Sequence, residues 1–232
     1  MTTIETDKVK NFFDEPQKYL HKDFGIKIRR DIVGRMVKDL PYKHILDVGC
    51  GDGSISLPLL NGATTLDLVD LSSGMLALAK AKIPEGLQAN VSFENVSLEK
   101  LNTHKNYDLI LAIGLLAHVP DVEKAIAILG NMLTPGGHLI FQFSEASKLA
   151  TKMSFRVRKT GHHKLNKIYK KTLVTIFEKN NFKLTNEISF ATIFPGMGML
   201  KNELLYNYCR YTINNKLFSL INSEYIMMVT RK

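Results

Sequence analysis

Asp47, Gly49, Gly51, Asp52 and Gly53 are crowded into HILDVGCGDGSISLPLL, residues 44–60, and Asp70 closes the nearby run TLDLVD. Glycines at the end of an apolar strand permit backbone dihedrals closed to other residues and let a ligand approach the main chain. The run after Gly53 is compatible with a helix, whose first N–H groups would face the same ligand. Asp70 lies 17 positions beyond Gly53 at the tip of the next strand candidate. In a parallel sheet it would stand beside the glycine loop, where a carboxylate can accept both hydroxyls of a ribose.

A dinucleotide fingerprint requires G-x-G-x-x-G, and counting from Gly49 puts Ser54 where the third glycine should be. Asp47 and Asp52 would also sit badly beside a pyrophosphate. Negative charge favours a ligand with a cationic end and no phosphate. S-adenosyl-L-methionine, with its sulfonium, α-ammonium and ribose, answers both the acidic loop and Asp70.

The elements that must position these residues alternate as in an α/β sheet. Apolar strand candidates at 44–48, 65–70, 89–94, 107–113 and 137–143 are separated by segments long enough for helices near 75–83 and 121–132. Ile28, Ile32, Val33, Met36 and Leu40 form a helical stripe over 26–40, ended by Pro41. Further on, Leu165, Ile168, Tyr169, Leu173, Ile176 and Phe177 share helical spacing; 182–190 reads as a strand, 200–215 as a helix and 225–230 as a last strand. The expected fold class is α/β, a doubly wound, mostly parallel sheet with helices on both faces. Nothing resembling a linker, repeat or low-complexity tract divides residues 1–232, so one domain is expected.

The series of motifs resembles the class I S-adenosylmethionine-dependent methyltransferases. ILDVGCGDGS (45–54) is similar to their first motif, VDLSSGML (69–76) to the second strand and turn, and FENVSLEKL (93–101) to the third. YDLILAIGLLAHVPD (107–121) resembles the fourth strand and loop, and LTPGGHLIF (133–141) the turn into the fifth. The resemblance implies a Rossmann-like, seven-stranded sheet whose last strand is antiparallel. It implies that Asp47, Gly49, Gly51 and Asp52 line the methionine end of the cofactor, with Cys50 in the same loop through packing or backbone. It places Asp70 on the ribose, Leu71 and Met75 against the adenine, Ser97 and Leu98 at its edge, and Gly114 and Leu115 near the transferred methyl. Ser97 departs from the acidic residue usual at its position, which weakens the adenine contact or moves it to the backbone.

Displacement at a sulfonium needs alignment and water exclusion more than acid catalysis. His118, in the loop after the fourth strand, suits proton acceptance near neutral pH, or instead ties down that loop. AIGLLAH also lacks the Asn/Asp-Pro-Pro-Tyr/Phe pattern of adenine-N6 enzymes. By resemblance an N-terminal helical cover, about 1–40, and an insertion, about 191–222, enclose the acceptor. Phe13, Tyr19, Phe194, Met197, Met199 and Tyr206 are candidate acceptor contacts or ordinary core. In RVRKTGHHK (156–164), Arg156, His162 and His163 would meet an anionic group on the acceptor or simply face solvent. No metal site is expected, because the adjacent histidines lack a third ligand at suitable spacing.

Composition bounds the alternatives. The 232 residues are 45% apolar and carry two cysteines, which excludes a disulfide scaffold and fits a cytoplasmic setting. No apolar run approaches membrane-spanning length, so no membrane partner is expected. The net charge of +9 is uneven: residues 1–145 hold 15 Lys/Arg against 18 Asp/Glu, whereas 146–232 hold 16 against 4. That excess keeps nucleic acid open as a partner, though a small-molecule acceptor is favoured. The expected activity is methyl transfer to oxygen or nitrogen of a small molecule. The alternatives are an RNA or tRNA methyltransferase and a non-catalytic cofactor-binding regulatory or partner protein.

Overall fold

The computed structural model describes residues 23–148, 151–152, 165–191, 197–218 and 221–232. Phe13, Tyr19, Arg156, His162, His163 and Phe194 lie outside the described residues. The seven strands are β1 (His44–Val48), β2 (Thr65–Val69), β3 (Val91–Glu94), β4 (Tyr107–Ala112), β5 (Leu133–Ser144), β6 (Phe182–Ala191) and β7 (Asn222–Arg231). They form one sheet in the order β3-β2-β1-β4-β5-β7-β6. The pairs among β1 to β5 are parallel, and β7 runs antiparallel to both β5 and β6. This is the mixed sheet expected from the motif series.

Helices cover both faces because consecutive strand residues alternate sides. Leu46, Val48, Ile110 and Phe141 pack with Ile126, Leu129, Leu173 and Phe177 on one face. Ile45, Leu66, Leu68 and Leu111 pack with Ile28, Ile32, Val33 and Leu205 on the other. The helices are α1 (Asp23–Val37), α2 (Ser73–Ala81), α3 (Val122–Asn131), α4 (Lys170–Lys179) and α5 (Asn202–Thr212). Ser72 accepts from the Met75 amide at 3.2 Å and Asp121 from the Lys124 amide at 3.1 Å, capping α2 and α3 at their first turns.

Two expected helices differ from the sequence reading. The segment after Gly53 forms turns and a short 3-10 helix at Leu57–Leu59. Pro58 lacks an N–H and fits only a first turn, and Asn61-Gly62 breaks the chain before a second can form. The helix expected from Leu165 begins at Lys170. Residues 165–169 are held extended by the Glu145–Ile168 bridge, and the Glu145 carboxylate accepts the Lys170 amide at 2.6 Å.

Candidate functional site

β1, β2 and β4 end at one edge of the sheet, and the tips of β1 and β2 are tied together there. The amides of Gly49 and Cys50 donate to the Val69 carbonyl at 2.8 and 3.2 Å, fixing the glycine turn on the end of β2. Gly49, Gly51 and Gly53 all have positive φ, at 71°, 55° and 70°. Their surroundings separate their roles. A Cβ on Gly49 would lie 3.2 Å from Leu115 and one on Gly53 2.8 Å from Leu57, so both are packing positions. A Cβ on Gly51 would meet nothing within 4 Å, and the same holds for Gly114, whose φ is 85°. These two glycines border open space at the strand ends, as a cradle for a ligand requires.

Asp70 is half-buried and rigidly oriented. One oxygen accepts the Gly51 amide at 2.8 Å, the other accepts the Ser72 amide at 2.8 Å, and Asn95 Nδ2 donates to the Asp70 carbonyl at 2.9 Å. The two amides and Asn95 fix the orientation of this carboxylate at the tip of β2. Asp47 is 3% exposed, inside β1. Burial pushes its carboxyl up to about 7; the Ser56 hydroxyl opposes that rise and the negative charge of Asp70 adds to it. A carboxylate held this way is stabilised by an incoming cation.

Asp52, also buried, is engaged within the protein. It accepts the Ser54 amide and hydroxyl at 3.2 and 2.9 Å and pairs closely with Lys82 Nζ at the end of α2. It braces the loop from behind. Cys50 is buried, and burial followed by the charges of Asp47 and Asp70 drives its thiol well above the ordinary range. Burial pushes the Cys209 thiol up to about 12. Neither is a reactive thiolate.

Leu71 and Ser97 are half-buried beside the crevice, whereas Met75 and Leu98 are 1% and 4% exposed, Leu98 within the core. Leu115 packs against the core and under Gly49. His118 is half-buried, with its Nδ1 atom buried and its amide donating to the Leu115 carbonyl at 2.9 Å. That loop is braced by Asn166, whose side chain donates to the carbonyls of Leu116 and Val119 at 3.0 and 2.6 Å. Among the acceptor candidates, Met197 is half-buried against the α1/α5 core, Met199 is 93% exposed, and Tyr206 donates to Asp31 at 2.5 Å with Lys27 over its ring. The structure therefore gathers the glycine loop, Asp47 and Asp70, and among the described acceptor candidates Met197 and Tyr206 pack against the same core while Met199 stands in solvent.

Sequence reasoning missed Ser72, Asn95, Lys82 and Asn166. Ser72 had a readable signal, since a serine before SGMLALAK is a helix cap. The other three act through tertiary neighbours and had none. A cavity of about 660 Å³ lined by Glu145, Lys148, Tyr169, Lys170 and Tyr225 also went unforeseen, and it touches none of the glycine-loop residues. Among the described residues no group of His, Cys, Asp and Glu is placed to hold a metal, and no helix is long and apolar enough to cross a membrane.

Residues 45–137 match the family model described as "Methyltransferase domain". A ubiquinone biosynthesis O-methyltransferase of Coxiella burnetii is 35% identical over 103 residues, covering 44% of this chain and 44% of that protein. The chain thus matches less than half the length of that curated relative. Among solved structures, magnesium protoporphyrin IX methyltransferase from Synechocystis with bound SAH superposes with a TM-score of 0.70 at 16% identity, covering 98% of this chain and 100% of that one. The N-methyltransferase NodS from Bradyrhizobium japonicum, in complex with S-adenosyl-L-homocysteine, gives 0.65 at 14% identity, covering 97% and 98%. At those identities the superpositions establish the fold.

Proposed function

We propose that the chain, whose residues 45–137 match a methyltransferase-domain model, is a class I S-adenosylmethionine-dependent methyltransferase that transfers a methyl group to an oxygen or nitrogen of a small-molecule acceptor. The observation that carries this reading is the pairing of open space at Gly51 with two carboxylates, Asp47 and Asp70, at the strand tips. A phosphate-bearing dinucleotide would meet repulsion there, while a cationic, phosphate-free ligand gains from both charges. Bound S-adenosylmethionine would supply a methyl on a positively charged sulfur.

The chain's own residues would then do four things. Asp70, locked by the Gly51 and Ser72 amides, would accept the ribose hydroxyls without reorganising. Asp47, in ionised form, would offset the cationic methionine end. Leu71 and Ser97 would border the adenine, and Gly114 would let the acceptor approach closely. His118 would take the acceptor's proton from its place in the loop after β4. Precise placement contributes most to such a displacement, since aligned reactants gain roughly 7–11 kcal/mol over free encounter.

The O-methyltransferase relative supports an oxygen acceptor, and NodS supports nitrogen on the same fold. The test is incubation with methyl-labelled donor and separate small-metabolite and RNA fractions. Label in a metabolite that is lost in His118→Ala more than cofactor affinity is lost supports the reading; label confined to RNA, or none in either fraction, rejects it.

A further inference from the structure

Eight large apolar side chains are strongly exposed among the described residues, and five of them, Met199, Leu200, Leu204, Tyr211 and Leu217, fall within one short stretch around α5. Exposed apolar residues scattered singly need no explanation; a cluster does. Leu204 and Tyr211 are seven residues apart, nearly two full turns, so they share one line along α5. Leu205, Cys209 and Thr212 form the adjacent stripe that is buried against the domain. α5 therefore has two apolar faces, one packed and one bare. The bare face continues beyond the helix: Tyr211 meets the Phe218 ring edge-on at 5.6 Å, and Leu217 beside it is 87% exposed.

The charges around this face are mainly of one sign. Lys201, Arg210 and Lys216 lie on the same stretch against Glu203 alone. On α1, Asp31 accepts the Tyr206 hydroxyl, but Lys27 sits over that ring at 4.4 Å and the positive charges of Arg210 and Arg35 also act on it, so cations outnumber the one carboxylate there. An exposed leucine and tyrosine stripe with a lysine and arginine border fits a helix lying in the plane of an anionic bilayer, apolar side at the acyl boundary and cations at the headgroups.

The topology gives this face a location. β6 ends and β7 begins at the edge of the sheet where the glycine loop stands, with Ala191 opposite Asn222. The α5 segment connects those two strands, so it leaves from and returns to the edge carrying the crevice. We propose that the face formed by Leu200, Leu204, Tyr211 and Leu217, bordered by Lys201, Arg210 and Lys216, docks the protein peripherally on an anionic lipid surface. Lying on a membrane requires no spanning helix, and none is present among the described residues.

The test is sedimentation of the full chain with vesicles of phosphatidylcholine alone or with about 30 mol% phosphatidylglycerol, at low and high salt. The wild type is expected to bind the anionic vesicles and to be released by salt. Leu204→Ser combined with Leu217→Ser should lower partitioning by roughly tenfold or more, and Lys201→Gln with Lys216→Gln should weaken it severalfold on anionic vesicles only. Val174→Ser, at an exposed apolar position on α4, should change nothing. Unaltered circular dichroism in each variant shows that folding is intact. Absence of binding to anionic vesicles, or equal binding by the leucine double variant, overturns the proposal. So does a wild-type dimer that the double variant dissociates in the absence of vesicle binding, because a second copy would then be the occupant.

Discussion

Asp47 and Asp67 are buried carboxyls in neighbouring parallel strands, and the protein treats them oppositely. Asp67, in β2, accepts from Ser92 Oγ at 2.6 Å, Lys105 Nζ at 2.7 Å and Tyr107 Oη at 2.8 Å. Burial alone would raise its pKa, but these three partners and the Lys105 charge outweigh that and hold it below the ordinary value. Burial, and after it the same contact with Asp67, drives the Tyr107 hydroxyl up. Asp47, in β1, has the Ser56 hydroxyl beside it and a second negative charge nearby, and burial dominates. A buried charge satisfied from within stabilises a fold, whereas Asp47, with no cationic partner among the described residues, is better served by a charge the ligand brings. Asp67 braces the connection before β4; on the proposed function Asp47 faces the cationic end of the cofactor.

The contrast is sharpest under substitution. Asp70→Ala removes the group that orients both the Gly51 and Ser72 amides, and cofactor affinity measured by calorimetry should fall by roughly a hundredfold, two charge-assisted contacts being lost. Asp67→Ala should leave that affinity within about twofold while lowering unfolding free energy by about 2–4 kcal/mol, read from denaturant midpoints. If Asp67→Ala weakened binding as much as Asp70→Ala, the division between structural and ligand-directed carboxylates would collapse. Lys82→Met should weaken cofactor binding by only about threefold, because Lys82 is itself half exposed and steadies Asp52 from a solvated position. Lys82→Arg should restore it.

Stability should respond to pH with opposite signs at the two carboxyls. The folded pKa of Asp67 is depressed, so its contribution is present above the unfolded value near 3.9 and is lost as pH falls through the folded value. The folded pKa of Asp47 is raised to about 7. Between about 4 and 7 the folded state of the ligand-free protein then holds the extra proton, and stability declines as pH rises through that window. Asp47→Asn should flatten the neutral part of the profile, and Asp67→Asn the acidic part.

Much of the sheet was legible because parallel strands are buried on both faces and read as apolar runs; Leu109–Ala112 is unbroken, while Ile45–Val48 and Leu66–Val69 are each interrupted by a single buried carboxyl, Asp47 and Asp67. The glycine loop and Asp70 were legible because strand tips in a parallel sheet must converge. The helix after Gly53 was misjudged because apolar content in ISLPLL outweighed Pro58 in the reading, and the start of α4 because Ile168 and Tyr169 fit a helical stripe yet pair with β5. The supports at Asn95, Lys82 and Asn166 depend on distances between residues far apart in the chain. Tyr206, read as an acceptor contact or ordinary core, bonds Asp31 across the α1/α5 contact, a pairing between residues far apart in the chain.

The most direct test of Asp47 as the partner of the cofactor's cationic end is the pH dependence of S-adenosylmethionine affinity from pH 5.5 to 8.5. Below about 7 the Asp47 carboxyl must give up a proton before it can face the cationic end of the ligand. Affinity should therefore rise roughly tenfold between pH 6 and 8 in the wild type and stay nearly constant in Asp47→Asn. A flat wild-type profile, or one that persists unchanged in Asp47→Asn, would contradict the account.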